Sequence, residues 1–268
     1  MRLSPIAVCL GLAGLASAAE PSLSDRFAVA IERGDVAAVK ALVEAGNPAD
    51  GPIDYGGEGV TPLYRAAGQG RTDIVRYLIE KGANVNFRTK EWGHTPLYEA
   101  ASRGFDDVVE LLLAAGADPR ARDRNGYTAF AVAALGGQVD VAEMLLKHSD
   151  VNGADSYGNT LLMAATTTGQ TEAIRWLVGK GADIDKVSQI EHGGRTALID
   201  AAVVGAVESA RTLLELGANP HLKMKDGNTA LSHALAATPQ NAEMVELIKA
   251  ALARTPPPKA KAKSPAKR

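Results

Sequence analysis

Cysteine is almost absent from this 268-residue chain, which has a single one, Cys9. It lies within an apolar stretch, residues 6–16, that we expect the mature chain to lack, so disulfides and thiol chemistry are excluded there. Aromatic residues are also scarce, at 4% of the chain against 46% for all hydrophobic residues. The apolar content is therefore mostly alanine, leucine and valine, a profile that favours closely packed helices over a β-sandwich.

Sequence signatures of catalysis, nucleotide binding and metal binding are missing as well. We find no Walker loop, no Gly-x-Gly-x-x-Gly after a strand, no His-Glu-x-x-His and no Gly-x-Ser-x-Gly. The carboxylates are spread along the chain, and no pair of them stands out as an acid and a base. The sequence therefore predicts a protein that is not an enzyme and takes no cofactor or metal ion. The five histidines lie in separate segments without ligand spacing, which predicts exposed loop residues: His94, His148, His192, His221 and His233.

Charge separates the body of the chain from its C-terminal tail. All 31 acidic residues lie between Glu20 and Glu246, and residues 20–253 have a net charge of −9, whereas residues 254–268 hold six basic residues and no acid. An acidic body lacks the positive face that a nucleic-acid backbone needs, so we expect no nucleic-acid partner. The Pro/Lys/Ala-rich tail cannot build a core and is predicted to be disordered. Two interpretations of it stay open, a solvated solubilising tail and a tether to an anionic surface.

The first residues have the pattern of an export signal. Arg2 precedes the apolar stretch, and small residues follow at positions 16–19. A membrane anchor needs about 20 apolar residues, which is more than this stretch provides. We therefore predict a signal peptide over residues 1–19 and an exported protein. The absence of an Asn-x-Ser/Thr acceptor favours the bacterial periplasm, with secretion as the alternative.

A short phrase that begins with threonine recurs along the chain. It reads TPLYRAA at Thr61 and TPLYEAA at Thr95, and the intervals between successive copies are 34, 33, 32, 36 and 33 residues. A second phrase, Gly-Ala followed by Asn or Asp, comes at a fixed offset after four of the copies. The looser copies of the first phrase begin at Thr128, Thr160, Thr196 and Thr229.

Each copy has the residues of two short helices. Threonine is a good N-cap, and a proline at the first helical position has no N–H to lose there. Paired alanines such as Ala66 and Ala67 allow helices to approach closely, and a glycine such as Gly104 ends the first helix. The second helix carries apolar residues at helical spacing, as at Ile74 and Leu78. Such a unit cannot bury its apolar face alone, so neighbouring units must stack.

This pattern resembles the ankyrin repeat, whose Thr-Pro-Leu-His-x-Ala signature has a period of 33 residues. The resemblance extends over about residues 24–252. It departs from the family at Tyr64 and Tyr98, which take the usual histidine position, and near Ser149, where the Gly-Ala phrase is missing. It implies an all-α solenoid of about seven helix–turn–helix units joined by β-hairpin-like loops. We assign residues 24–253 to this domain, between the signal peptide and the tail.

The resemblance also implies where partners bind, because ankyrin-like repeats use their hairpin tips and the exposed side of each first helix. Two longer hairpins, which include Glu58 and His192, are further candidates. Large rings on exposed loops are typical binding anchors, although each ring could instead be a structural wedge against the next hairpin. The aromatic candidates are Trp92, Tyr127 and Tyr157 at three successive tips. The polar candidates are Arg124 and Arg195 in hairpins, and Arg65, Glu99, Arg103 and Asp200 on first helices.

The sequence therefore predicts a monomeric, non-catalytic scaffold that binds a protein partner outside the cytoplasm. An alternative is a structural or stress-protective protein that its basic tail tethers to a surface. Another is an inhibitor or immunity protein of a secreted enzyme.

Overall fold

The computed structural model describes residues 21–51, 59–189, 194–237 and 241–255. The predicted signal peptide, the hairpin residues Glu58 and His192, and the tail beyond Thr255 lie outside the described residues. Within these ranges the chain is helical and forms seven consecutive helix pairs, which confirms the predicted fold class and number of units. The pairs are α1 (Leu23–Arg33) and α2 (Val36–Glu44), α3 (Pro62–Gly68) and α4 (Thr72–Glu80), α5 (Pro96–Arg103) and α6 (Asp106–Ala114), α7 (Ala129–Leu135) and α8 (Val139–Leu146), α9 (Leu161–Thr167) and α10 (Thr171–Gly179), α11 (Ala197–Val204) and α12 (Val207–Glu215), and α13 (Ala230–Ala236) and α14 (Ala242–Arg254).

The pairs stack as two layers, with the first helices in one and the second helices in the other. Each first helix packs against its own second helix and against the first helices of the neighbouring units. The close approach depends on alanine, since Ala66, Ala67, Ala100 and Ala101 are all completely buried. Leucine and isoleucine side chains, such as Leu78, fill the space between the two layers. The core is therefore continuous along the stack.

The recurrent threonines act as predicted. In all six copies the threonine is the N-cap of a first helix, and its hydroxyl accepts a hydrogen bond from the backbone N–H three residues on. In two copies a proline follows at the start of the helix. The start of each first helix is therefore specified by residues close to it in sequence and does not need contacts between units.

The missing Gly-Ala phrase changes how one helix ends. Gly82 and Gly116, which follow α4 and α6, have φ values of 81° and 87°. After α8, Lys147 keeps a right-handed conformation, and the Ser149 hydroxyl donates a hydrogen bond of 2.9 Å to the Leu145 carbonyl. No residue other than glycine has positive φ in the part of the chain that the structure describes. The serine thus binds a terminal carbonyl where other units use a glycine turn.

The loops that follow the second helices are joined by a line of side chains that the sequence pattern did not predict. We call Asp50, Asn86, Asn152 and Asp185 the Asx ladder. Each accepts a hydrogen bond of 2.7–2.9 Å from a backbone N–H in the corresponding loop of the next unit. Arg120 takes the ladder position between units 3 and 4, where it donates to the His148 carbonyl instead.

We expect Asn86→Ala to lower the free energy of unfolding by about 1 kcal/mol, because it removes two hydrogen bonds between units 2 and 3. Asn86 accepts from the Asp118 N–H at 2.8 Å and donates to the Gly116 carbonyl at 3.1 Å. Asn86→Asp keeps the acceptor oxygen, so it should lower the free energy of unfolding by less. Urea unfolding followed by circular dichroism measures both variants, and an unchanged free energy for Asn86→Ala would show that the ladder does not stabilise the stack.

Candidate partner-binding surface

The hairpin loops and the outer sides of the first helices form one surface, which we call the hairpin–helix face. The hairpin residues Asp155 and Arg195 line the same groove as Met163 and Asp200 of α9 and α11. The two kinds of element that the sequence singled out for partner binding are therefore adjacent in the structure.

Two of the three predicted tip aromatics are exposed. Trp92 is 44% exposed and Tyr157 is 64% exposed. Tyr127 is half-buried, packs against the core, and donates a hydrogen bond from its hydroxyl to Asp155 at 3.3 Å. Burial, followed by the charge of Asp155, raises the pKa of Tyr127 to about 12. The prediction of three exposed rings in a row is therefore wrong for Tyr127, because the next hairpin offers its ring a packed position and a hydrogen-bond acceptor.

Backbone hydrogen bonds join successive hairpin tips. The Arg124 N–H donates to the Trp92 carbonyl at 2.9 Å, and the Arg124 guanidinium donates to the Lys90 carbonyl. The next tip repeats the contact, since the Ser156 N–H donates to the Asn125 carbonyl at 2.8 Å. The exposed rings of Trp92 and Tyr157 therefore stand on a connected backbone, which reduces the conformational entropy that binding would otherwise cost.

Tyrosine hydroxyls bind carboxylates across the unit boundaries. Tyr64 donates to Glu99 at 3.1 Å, and Tyr98 donates to Asp123 at 3.2 Å. Burial, with the charge of Asp123, raises the pKa of Tyr98. These two tyrosines take the place where the family pattern has histidine. Their hydroxyls therefore connect neighbouring units.

The charged side chains Arg65 and Glu99, on the first helices of units 2 and 3, are paired within the chain. Arg65 is only 8% exposed and forms an ion pair with Glu32 of α1. Glu99 forms an ion pair with Arg103 at 2.6 Å, one turn along α5, and Arg103 remains exposed. The prediction that Arg65 points outward is therefore wrong, because the neighbouring helix supplies a carboxylate against which its side chain folds.

Apolar side chains are exposed on the first helices of units 6 and 7. Val203 and Val204 of α11 are 40% and 53% exposed, and Leu235 of α13 is 48% exposed. Thr167 at the end of α9 and its C-cap residue Thr168 are exposed and uncharged. Apolar side chains exposed together on one face are typical of an interaction surface.

Asp200 is the buried acid of this second half. It is 4% exposed and pairs with the Arg195 Nε at 3.0 Å. Burial raises the pKa of Asp200 to about 6, and the charge of Arg195 opposes that shift without cancelling it. The prediction that Asp200 points outward is wrong, since the hairpin before α11 folds over its carboxylate. Val132, Ala164 and His233, which lie at the positions of α7, α9 and α13 that correspond to Asp200, are half-buried.

The expectation of exposed loop histidines is also wrong where the structure describes them. His94 stacks on Tyr98 with a centroid distance of 4.0 Å, and burial lowers its pKa against the charges of Asp123 and Glu99. The other three described histidines are half-buried: His148, His221 and His233. Within the described ranges no three His, Cys, Asp or Glu side chains come together as metal ligands. None of the described helices is long and apolar enough to cross a membrane.

The pKa of Asp200 makes stability depend on pH. Because the folded value of about 6 exceeds the ordinary 3.8, the folded chain binds more protons than the unfolded chain between these values. The charged carboxylate costs stability above pH 6, and this cost falls as the pH is lowered. We therefore expect the unfolding free energy of Asp200→Asn, minus that of the natural chain, to fall by roughly 1 kcal/mol between pH 7 and pH 5.

Urea unfolding at a series of pH values measures this difference. Asp107→Asn is the matched control, since Asp107 is exposed on α6, outside the hairpin–helix face. The difference in unfolding free energy between Asp107→Asn and the natural chain should not change between pH 7 and pH 5. A flat difference for Asp200→Asn would contradict the raised pKa.

Comparison with known proteins places this architecture in a family. A model described as ankyrin repeats in three copies matches residues 27–123 and 112–188, and a model of a single ankyrin repeat matches residues 193–225. Among solved structures, the ankyrin repeat domain of Bcl-3, a member of the IkappaB protein family, superposes with a TM-score of 0.66 at 25% identity. The match covers 84% of this chain and 97% of that domain.

Longer proteins carry similar sequences. The palmitoyltransferase AKR1 of Lachancea kluyveri is 32% identical over 226 residues, which are 81% of this chain and 30% of that protein. The human 2-5A-dependent ribonuclease is 39% identical over 203 residues, which are 70% of this chain and 27% of that protein. The chain spans about a third of the length of the curated relatives it matches. With family models matched over more than half of its length, the chain belongs to the ankyrin repeat family.

Proposed function

We propose that this chain is a non-catalytic scaffold that binds a protein partner through its hairpin–helix face, as a monomer, outside the cytoplasm. The observation that carries the proposal is the exposure of Trp92 and Tyr157 on hairpin tips that backbone hydrogen bonds hold together. Large amphipathic rings on a preorganised backbone are favourable anchors for a partner protein. The enzymatic activities in the names of the relatives belong to proteins of about three times this length.

We expect Trp92→Ala and Tyr157→Ala each to weaken partner binding by about thirtyfold, which corresponds to an anchor contribution of about 2 kcal/mol. The partner is first isolated by crosslinking capture from the native compartment, purified, and then measured by calorimetry against each variant. Thermal unfolding should change little, because both rings are exposed. Unchanged affinity in both variants would contradict the proposal.

Two further variants serve as controls. Val139→Ala removes an exposed apolar side chain from α8, in the second-helix layer, and should leave affinity unchanged. Tyr127→Ala should lower the unfolding temperature, because this ring packs against the core and bonds to Asp155. Affinity losses in Val139→Ala as large as in Trp92→Ala would show that the effect is not specific to the hairpin–helix face.

The proposed location depends on the sequence of residues 1–19, where a positive residue precedes an apolar stretch and small residues. We expect these residues, fused to a phosphatase that is active only after export, to produce activity outside the cytoplasm. Replacing Leu10 and Leu12 by Arg within the apolar stretch should abolish it. Equal activity of the two fusions would contradict export.

The basic tail favours one alternative, a protein tethered to an anionic surface. Residues 254–268 carry six basic residues and no acid, a composition that attracts anionic surfaces. Deletion of these residues separates the two functions. The scaffold proposal requires unchanged partner affinity after deletion, whereas the tether requires the loss of surface localisation.

A further inference from the structure

A groove of about 350 Å³ opens on the hairpin–helix face among units 4, 5 and 6. Hairpin residues Asp155 and Arg195 line one part, and Met163, Gln170 and Asp200 line others. Residues from three units therefore meet here. The exposed Val203 and Val204 lie three and four residues after Asp200 on α11, and therefore on the same side of that helix as Asp200.

Two hydrogen-bond acceptors of the groove are buried. Gln170 Oε1 is shielded from solvent and accepts no hydrogen bond from any residue that the structure describes. The Asp200 carboxylate is almost fully buried, and one of its oxygens accepts from Arg195. A buried acceptor without a donor and a buried carboxylate are both costly unless a donor reaches them.

The charges that line the groove add to this bias. Asp155 and Asp200 carry two negative charges, and Arg195 carries the single positive one. Asp155 already accepts from the N–H groups of Tyr157 and Asn159 and from the Tyr127 hydroxyl, so it contributes charge more than a free oxygen. The groove is therefore complementary to a cation that carries several donors.

Part of the groove lining is apolar. Leu135, Met163 and Ala164 line the groove between its polar groups. Long cationic side chains bury their methylene stems on such walls while the charged end reaches polar groups. A bare cation would leave these walls uncovered.

We propose that this groove binds the guanidinium group of an arginine side chain on the protein partner, with Asp200 and Gln170 as its acceptors. The inference depends on the proposed scaffold function and names the partner chemistry at one point of it. Arginine fits better than lysine because its five N–H donors lie in a fixed planar fork and can reach acceptors on different walls. The aliphatic residues next to that arginine on the partner would lie on Val203 and Val204.

The inference can be tested on the purified chain without any partner. The probe is n-butylguanidinium, which has the charged end and an alkyl stem of the arginine side chain, titrated into protein labelled at methionine, leucine and valine methyl groups. We expect saturable NMR shifts of the Met163 and Leu135 methyl signals. n-Butylammonium should bind more weakly, and n-butanol should not cause these shifts.

Substitutions test whether Asp200 and Gln170 are the groups that bind the probe. Asp200→Asn and Gln170→Ala should each weaken n-butylguanidinium binding roughly tenfold, since each removes a charge or an acceptor from the buried site. Asp107→Asn changes the net charge equally on α6, away from the groove, and should leave binding unchanged. Retained methyl chemical shifts in the free variants show that they are folded.

Two outcomes would overturn the inference: shifts by n-butanol equal to those by n-butylguanidinium, or undiminished n-butylguanidinium binding by both folded groove variants. Either result leaves the scaffold proposal open to its own test through Trp92 and Tyr157. Conversely, loss of the scaffold function would not alter binding of the small probe, so the two failures are distinguishable.

Discussion

Contact between neighbouring units is the interaction on which the rest of this structure depends. Each unit has two short helices, and a pair of this size cannot bury enough apolar surface by itself to stay folded. The alanine pairs, such as Ala66 with Ala67 and Ala100 with Ala101, are completely buried because the first helices approach along them. Larger side chains there would separate the units, and close-packed interiors tolerate such additions poorly.

Polar contacts between units are arranged in three lines along the stack. The Asx ladder joins the loops after the second helices, backbone hydrogen bonds join the hairpin tips, and tyrosine hydroxyls bind carboxylates of the following unit. Each line connects one unit with the next. Coupling along the stack is therefore a sum of nearest-neighbour terms, as expected for a repeat protein.

The Asx ladder changes at the boundary between units 3 and 4. Arg120 replaces the Asx residue, and the loop it contacts lacks the Gly-Ala phrase whose following N–H the ladder would bind. A cavity of about 420 Å³ opens beside this contact, lined among others by Arg120, His148 and Ser149. The ladder residue and the loop that it contacts therefore both depart from the repeat pattern at the same boundary.

The hairpin–helix face combines two surfaces of different chemistry. Its first part presents paired charges such as Glu99 and Arg103, which are already satisfied within the chain. Its second part presents exposed valines beside a groove in which Asp200 is buried. A partner bound as proposed would gain more from the second part, where apolar surface is still in water and Gln170 Oε1 accepts no hydrogen bond from the described residues.

The sequence by itself determined the architecture of this protein. Threonine caps, alanine pairs and terminal glycines act within a few residues of their own position, so a period near 33 residues predicts the helix pairs and their number. The burial of Tyr127, Arg65 and Asp200 was decided only by the tertiary structure. The repeat pattern gives the direction in which each of these side chains leaves its own helix, but it does not show what covers it. For Arg65 and Tyr127 the covering group comes from a neighbouring repeat, and for Asp200 it is the folded hairpin before α11. For the same reason the groove, which three units build together, has no signature in any single copy of the repeat.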